Sequence, residues 1–288
     1  MNNLRKLDIV VISDVHLGTY GCHAKELCRY LKSIQPKILI LNGDIIDIWQ
    51  FRKRYFPPSH LKVLKHILNM ASRGTKVYYL TGNHDESLRR FSDFELGNIS
   101  LVDKLVLTIG DKKAWFFHGD VFDASIQNAK WLAKLGGWGY DTLILLNRSM
   151  NWWLMKLGRP PYSLSAKIKK SVKSAVKFIN DFESVAAELA LENGYDYVIC
   201  GHIHQPQMRH ISTPKGVCVY LNSGDWVENL TALENHGGKW SMYSYNDDEK
   251  MKGSFAEDEV DVSVITISQL IHKVTSNSED SIRHTGNW

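Results

Sequence analysis

Five short stretches of this chain carry ligand-capable side chains at the end of an apolar run. They are Asp14-Val15-His16-Leu17-Gly18, Asn42-Gly43-Asp44, Gly82-Asn83-His84-Asp85, His118-Gly119-Asp120 and Gly201-His202-Ile203-His204. Taken together, Asp14, His16, Asp44, Asn83, His118, His202 and His204 offer imidazole nitrogens with carboxylate and amide oxygens. Such a mixed set suits Mn, Fe, Zn or Co better than Ca or Mg, which prefer all-oxygen shells. The donors are too many for one ion and natural for two that share a bridging carboxylate. Ion pairs of that kind, about 3.5–4 Å apart, clamp a phosphoryl group and lower the pKa of water towards neutrality.

Each piece alone has a bland reading. Asn, His and Asp are ordinary turn residues, and Gly43-Asp44 by itself is a common turn. His202 and His204 weigh more, because alternate residues of an extended segment face the same way. The repetition at separate strand ends is what argues for a site.

The runs that must position these residues are short and β-like. Leu7–Ser13, Lys37–Leu41, Lys76–Leu80, Tyr195–Cys200 and Val217–Leu221 read as buried strands. Leu101–Ile109 and Lys112–Phe117 read as a hairpin turning at Gly110-Asp111. Helices are predicted over Ala24–Ser33, closed by Pro36, and over His60–Ser72, stopped by Gly74. The alternation of strand and helix gives an α/β fold that begins with a largely parallel sheet. Ligands bind such sheets at the carboxyl ends of the strands, where the polar stretches fall.

Residues 124–193 carry no strand signal. Asp141–Leu157 is helical, with Leu143, Leu146, Met150, Trp153 and Leu157 on one stripe and Leu145, Trp152 and Met155 on another. A long helix follows from near Ser165, keeping Ile168, Val172, Ala175, Ile179, Phe182, Ala186 and Leu189 in register until Gly194. The reading is a core of residues 1–123 and 194–246, a helical insertion over 124–193, and a polar tail over 247–288 whose last dozen residues have the composition of a disordered segment.

At 288 residues the chain can bury a full-sized core, and 44% hydrophobic with 23% charged residues is ordinary for a globular protein. A net charge of +4 is too weak to argue nucleic-acid binding, although it permits contact with anionic substrates or membrane surfaces. The nine Trp and twelve Tyr favour boundaries that are apolar on one side and wet on the other. Cys22, Cys28, Cys200 and Cys218 form no CxxC pair and read as reduced thiols. With no signal core near Met1 and no membrane-length apolar run, the expectation is a cytoplasmic protein, free or peripheral on the inner face of the cell membrane.

The series DVHLG, GDIIDIW, GNHD, HGD and GHIH resembles the calcineurin-like metallophosphoesterase superfamily, over Asp14 to His204. That resemblance implies a four-layer αββα sandwich and a binuclear site for two divalent metal ions, with Mn the first expectation and Fe or Zn the alternatives. One ion would be held by Asp14, His16, Asp44 and His204, and the other by Asp44, Asn83, His118 and His202. His84 would be the catalytic histidine that protonates the leaving oxygen, with Asp85 orienting it. General acid help of this kind contributes roughly 10²–10⁴-fold.

A narrower resemblance lies in Trp131-Leu132-Ala133-Lys134-Leu135-Gly136, Tyr140-Asp141, Leu146-Asn147-Arg148, Ser163-Leu164-Ser165 and Gly224-Asp225-Trp226-Val227-Glu228. These are similar to proteins grouped with UDP-2,3-diacylglucosamine diphosphatase. That group implies release of UMP and a lipid monosaccharide phosphate in lipid A-type biosynthesis, at the inner membrane, under a helical lid that holds acyl chains. A helix apolar on two faces fits such a lid, as do Trp152, Trp153 and Met155 beside Arg148, Lys156 and Arg159. Asn147, Arg148, Trp152, Lys170 and Lys173 are the candidate substrate contacts. The competing reading packs the second stripe into a larger core or an oligomer contact and leaves Lys167, Lys169, Lys170, Lys173 and Lys177 as a solvated face.

One departure bears on the substrate. In the lipid A group the residue after the metal-binding Asn is Arg, whereas here it is His84, as in general phosphoesterases. A phosphatase or phosphodiesterase for another phospholipid or a soluble nucleotide is therefore the alternative. A catalytically dead scaffold fits less well, because no ligand position is lost, and a nuclease lacks a basic stripe.

Overall fold

The computed structural model describes residues 4–48, 55–122, 179 and 182–251. The insertion's candidate contacts, Asn147, Arg148, Trp152, Lys170 and Lys173, lie outside the described residues, as do residues 252–288. The strands form two sheets. In chain order they are β1 (Arg5–Ile12), β2 (Ile34–Asn42), β3 (Lys76–Leu80), β4 (Glu95–Leu96), β5 (Ile99–Val102), β6 (Leu105–Ile109), β7 (Lys112–Phe116), β8 (Tyr197–Cys200), β9 (Gln207–Thr213), β10 (Gly216–Asn222), β11 (Thr231–His236) and β12 (Lys239–Ser244). The first sheet has seven strands in the order β12-β11-β1-β2-β3-β5-β4, and the second has five in the order β6-β7-β8-β10-β9.

The inner strands of each sheet run parallel, β1 with β2, β3 and β5 in the first and β7 with β8 and β10 in the second. Their apolar residues alternate between two cores, as the two-residue period requires. Ile9, Val11, Ile40 and Leu80 meet Ala114, Phe116, Ile199 and Leu221 between the sheets. Val10, Ile12, Leu39, Leu41 and Val77 turn outward, onto α1 (Ala24–Ser33) and α2 (Pro58–Ser72). On the far side Val198, Cys200, Cys218 and Tyr220 pack with Phe182, Ala186, Ala187 and Ala190 of α3, residues 182–192. The result is the expected αββα sandwich.

Helix α1 has the expected bounds because Leu27, Cys28 and Leu31 put a buried stripe on the sheet. Pro36 does not close it; the chain turns into β2 at Ile34, and Pro36 pairs only with Leu7 of β1. Pairing with β3 starts at Ile38, so the missing N–H of Pro36 faces a side with no ladder to break. The run expected as one strand from Leu101 to Ile109 is divided. Leu101 and Val102 pair with Tyr79 and Leu80 in the first sheet, and Leu105 begins the second.

Two strands lack the apolar signature. β9 alternates half-buried Gln207, Arg209, Ile211 and Thr213 with exposed Met208, His210 and Ser212, while β11 buries Glu234 and Asn235. Glu234 is tolerated at 6% exposure because Arg5 grips both its oxygens at 2.8 and 2.9 Å and Tyr30 donates at 2.9 Å. The compact unit extends to Met251, which is buried.

His60 on α2 locks the loop after β1, its Nδ1 accepting the Gly18 N–H at 2.8 Å. Burial lowers its imidazole to about 4. The unfolded chain then takes up the proton first, near the ordinary value of about 6.5. Stability therefore falls as pH drops from about 6.5 towards 4, and levels off below that. His60→Gln keeps an acceptor but cannot titrate. It should lose melting temperature less steeply than wild type between about pH 7 and 5, and equal slopes in the two proteins would overturn this role.

Candidate metal centre

The site sits where the carboxyl ends of the parallel strands from both sheets converge. β1 delivers Asp14 and His16, β2 delivers Asp44, and β3 delivers Asn83 and His84 from the first sheet. β7 delivers His118, and β8 delivers His202 and His204 from the second. Donor atoms of Asp14, His16 and His204 all lie within 4.8 Å of one another, as do those of Asp14, Asp44 and His118, and those of His16, Asp44 and His84. The Asn83 Oδ1 is buried without a hydrogen-bond partner, and the His202 ring stands edge-on to His118 at 5.1 Å.

The backbone makes this convergence possible at a cost. Asp14, His16, Asp44, His202 and His204 all hold φ between 52° and 68°, the left-handed region that non-glycine residues avoid. His202 and His204 therefore do not lie on an extended segment as the sequence reading supposed. Each reaches the site from its own left-handed residue, with Ile203 between them. The loops are held by backbone bonds: Asp14 N–H to Gly43 O (3.1 Å), His16 N–H to Asp44 O (2.9 Å) and Trp226 N–H to Asp14 O (3.1 Å).

Glycine is needed at Gly82 for space. A Cβ there would come within 2.2 Å of Asp44 Oδ1 and 2.7 Å of the Asp44 backbone nitrogen.

Asp14 is fully buried and Asp44 is 2% exposed. Each gives one oxygen to a backbone donor: Asp14 Oδ2 accepts from His202 N–H at 3.0 Å, and Asp44 Oδ1 from His84 N–H at 2.8 Å. The other oxygens face imidazole nitrogens. Asp14 Oδ1 stands 3.1 Å from His204 Nε2, and Asp44 Oδ2 stands 3.3 Å from His118 Nε2. His118 Nδ1 lies 2.9 Å from the Asn42 carbonyl, which can only accept, so Nδ1 carries the proton. In the neutral ring, Nε2 then turns a lone pair towards a carboxylate.

That arrangement calls for a cation between them. Asp14 Oδ1, His16 Nε2, Asn83 Oδ1 and His118 Nε2 are all buried with no hydrogen-bond partner. Orphaned donors of this kind aimed into one space are what a metal site requires, so these residues fit divalent ions. The titration behaviour agrees. Burial disfavours the charged ring of His118, yet Asp44 and Asp14 outweigh it and raise the group to about 10. His204 is likewise raised to about 9, burial again opposing and Asp14 prevailing. Burial pushes the Asp14 and Asp44 carboxyls up, but the surrounding imidazoles hold both below the usual carboxylate range.

The sequence reading assigned His84 to Asp85, and the structure corrects this. The Asp85 carboxylate is taken up by Gly82 N–H (2.6 Å), Ile45 N–H (3.0 Å) and the Tyr79 hydroxyl (2.6 Å). Its work is to bind the β3 loop to the β2 loop. The partner of His84 Nδ1 is Asp47, at 3.0 Å, which also lies 3.7 Å from His16 Nδ1. Asp47 went unassigned, although its place three residues after Asp44 was visible in Gly43-Asp44-Ile45-Ile46-Asp47. Burial opposes the charge of His84, but Asp47 and Asp44 raise its imidazole above the ordinary value.

The model of the calcineurin-like phosphoesterases matches residues 7–206. The chain belongs to the calcineurin-like phosphoesterase family. Calcineurin-like phosphoesterases use a binuclear divalent metal site, and this chain is a metal-dependent phosphoester hydrolase with candidate residues for such a site. It is 26% identical over 242 residues to a UDP-2,3-diacylglucosamine hydrolase of Blochmanniella pennsylvanica, covering 79% of this chain and 92% of that protein. A protein of the same name from Aliivibrio fischeri is 21% identical over 252 residues, covering 82% of this chain and 98% of its own length. Among solved structures, a dimetal phosphatase from Danio rerio is similar over 82% of this chain and 95% of its own, at 12% identity and a TM-score of 0.39.

Gly82→Ala tests the packing of this phosphoesterase site. Its Cβ must displace Asp44, so Mn affinity should fall by about 10–100-fold while the far-ultraviolet circular dichroism stays that of wild type. Unchanged Mn affinity would show that Gly82 is not needed to seat Asp44.

Proposed function

We propose that this phosphoesterase hydrolyses a lipid-linked nucleotide-sugar diphosphate, UDP-2,3-diacylglucosamine, to 2,3-diacylglucosamine 1-phosphate and UMP. The observation that carries the reaction type is the set of buried, partnerless donors on Asp14, His16, Asn83 and His118 around Asp14 and Asp44. The names of the similar proteins, which match over most of their length, support the substrate. So do the Gly224-Asp225-Trp226-Val227-Glu228 stretch and the two-faced apolar helix read in the insertion.

In this reading Asp14, His16, Asp44 and His204 hold one ion, and Asp44, Asn83, His118 and His202 hold the other, with Asp44 shared. Bound there, two divalent ions neutralise phosphoryl charge and make water a better nucleophile at neutral pH. We assign Mn as the resident metal, since nitrogen and oxygen donors together favour a transition ion. His84 carries the proton for the departing oxygen at Nε2. Asp47 fixes its ring through Nδ1, which holds the tautomer and favours the charged form. Water attacks one phosphorus, the phosphoanhydride bond breaks, and the leaving phosphate oxygen takes up that proton. Among the described residues no helix is long and apolar enough to cross a membrane. Contact with the cytoplasmic membrane surface would therefore be peripheral.

A second reading rests on His84 itself, which stands where the lipid A group has Arg. It makes the chain a phosphatase or phosphodiesterase for another phospholipid or a soluble nucleotide.

Mn-loaded protein should release UMP from UDP-2,3-diacylglucosamine without inorganic phosphate, and chelation should abolish turnover. Release of inorganic phosphate, or turnover of soluble nucleotides alone, would favour the second reading. No turnover of either, nor of bis(p-nitrophenyl) phosphate, would remove both.

His84→Ala should lower kcat by roughly 10²–10⁴-fold with Mn stoichiometry retained, and Asp47→Asn should produce a smaller fall of the same kind. A kcat unaffected by His84→Ala would remove its leaving-group role and leave the metal assignment standing.

A further inference from the structure

The loops of the two sheets are cross-tied by side chains on both sides of the site. On the side of Asp14, its Oδ2 accepts the His202 N–H across the seam. On the other side the tie is Arg89, from the short helix Glu86–Phe91 that follows the Asn83 loop. Its Nη2 donates to Asp120 Oδ2 at 3.0 Å, and its Nε donates to Thr81 Oγ1 at 3.3 Å and lies 3.3 Å from Asp103 Oδ1. The Thr81 hydroxyl in turn donates to Asp103 Oδ1 at 3.0 Å.

Thr81 directly follows β3, two residues before Asn83, and Asp120 lies two residues after His118 on the turn that follows β7. One guanidinium thus spans the loops that carry Asn83 and His118, which come from different sheets.

We propose that Arg89 is a positioning residue for the second ion, setting the separation of Asn83 from His118 by clamping Thr81 and Asp103 to Asp120. Asn83 Oδ1 and His118 Nε2 have no hydrogen-bond partners of their own. The His118 ring is held at Nδ1 by the Asn42 carbonyl at 2.9 Å, and the place of the Asn83 loop relative to it is what the Arg89 tie sets. The His118-Gly119-Asp120 turn transmits position because it is closely packed. A Cβ at Gly119 would meet His202 Cβ at 2.9 Å and Phe182 at 3.0 Å, so moving Asp120 moves His118. A planar guanidinium with several fixed donors suits this role, with Nε and Nη2 both engaged.

The inference rests on reading Asn83 and His118 as ligands of one ion, and the test separates the two. Mn binding to the full chain is followed by calorimetric titration for wild type, Arg89→Ala, Asp120→Asn, the double variant and Asn83→Ala. Arg89→Ala and Asp120→Asn should each weaken one of two Mn-binding events about 10–100-fold and leave the other within about threefold. The double variant should be no worse than either single change, because both break one tie. With Mn saturating, KM for bis(p-nitrophenyl) phosphate should return to the wild-type value.

Both events unchanged in Arg89→Ala and Asp120→Asn, additive losses in the double variant, or a raised KM at saturating Mn would each overturn the clamp. The last result would make Arg89 a substrate contact. If Asn83→Ala also leaves both events intact, the ligand reading itself fails. Asp120→Asn, nearly isosteric, keeps the test valid if Arg89→Ala does not fold.

Discussion

The structure turns on two carboxylates buried at strand ends. Removing Asp14 and Asp44 from water is costly unless every lone pair finds a donor or a cation. One oxygen of each is met by a backbone N–H from a neighbouring loop, and the remaining oxygen of each is left to imidazoles. Those imidazoles are anchored elsewhere, His118 on the Asn42 carbonyl being the plainest case. Protons on the histidines, or divalent ions in their place, would neutralise these carboxylates. Metal binding and folding of these loops share one electrostatic requirement.

The same requirement explains the strain. Five of the candidate metal-holding residues hold left-handed backbone, each at a cost of order 1–3 kcal/mol. Such conformations persist where the surroundings over-determine them, and here they do. The β1 loop bonds to the β2 loop through Asp14, Val15 and His16, and Trp226, itself fully buried, donates to Asp14 O. Asp85 ties the β3 loop to Ile45. The strain aims short side chains inward from strands that would otherwise carry them past one another.

Much of this was legible in the sequence, because the ligand types recur where apolar runs stop, and a parallel sheet gathers such ends at one edge. His16 and His204 could be named without knowing any distance. Adjacency misled in the case of Asp85: the residue next to His84 is not its partner when the chain turns between them. Asp47 stands in view three residues after Asp44, but its pairing with His84 arises only where the β2 and β3 loops meet. β11 was hidden because its buried Glu234 is made tolerable by Arg5 and Tyr30 from distant parts of the chain. Contacts between residues hundreds of positions apart leave no local pattern to read.

The two-sheet design also explains why the site lies at a seam. The first sheet supplies Asp14, His16, Asp44, Asn83 and His84, which include both buried carboxylates and two of the five imidazoles. The second supplies His118, His202 and His204, the other three imidazoles and no carboxylate of this set. Neither half holds the full donor set, so the site exists only when Ile9, Val11, Ile40 and Leu80 are seated against Ala114, Phe116, Ile199 and Leu221. A close-packed interior of that kind resists sliding. The inter-sheet core thus fixes, through apolar packing, the spacing of the two sheets within which the loop-to-loop bonds at the site are made.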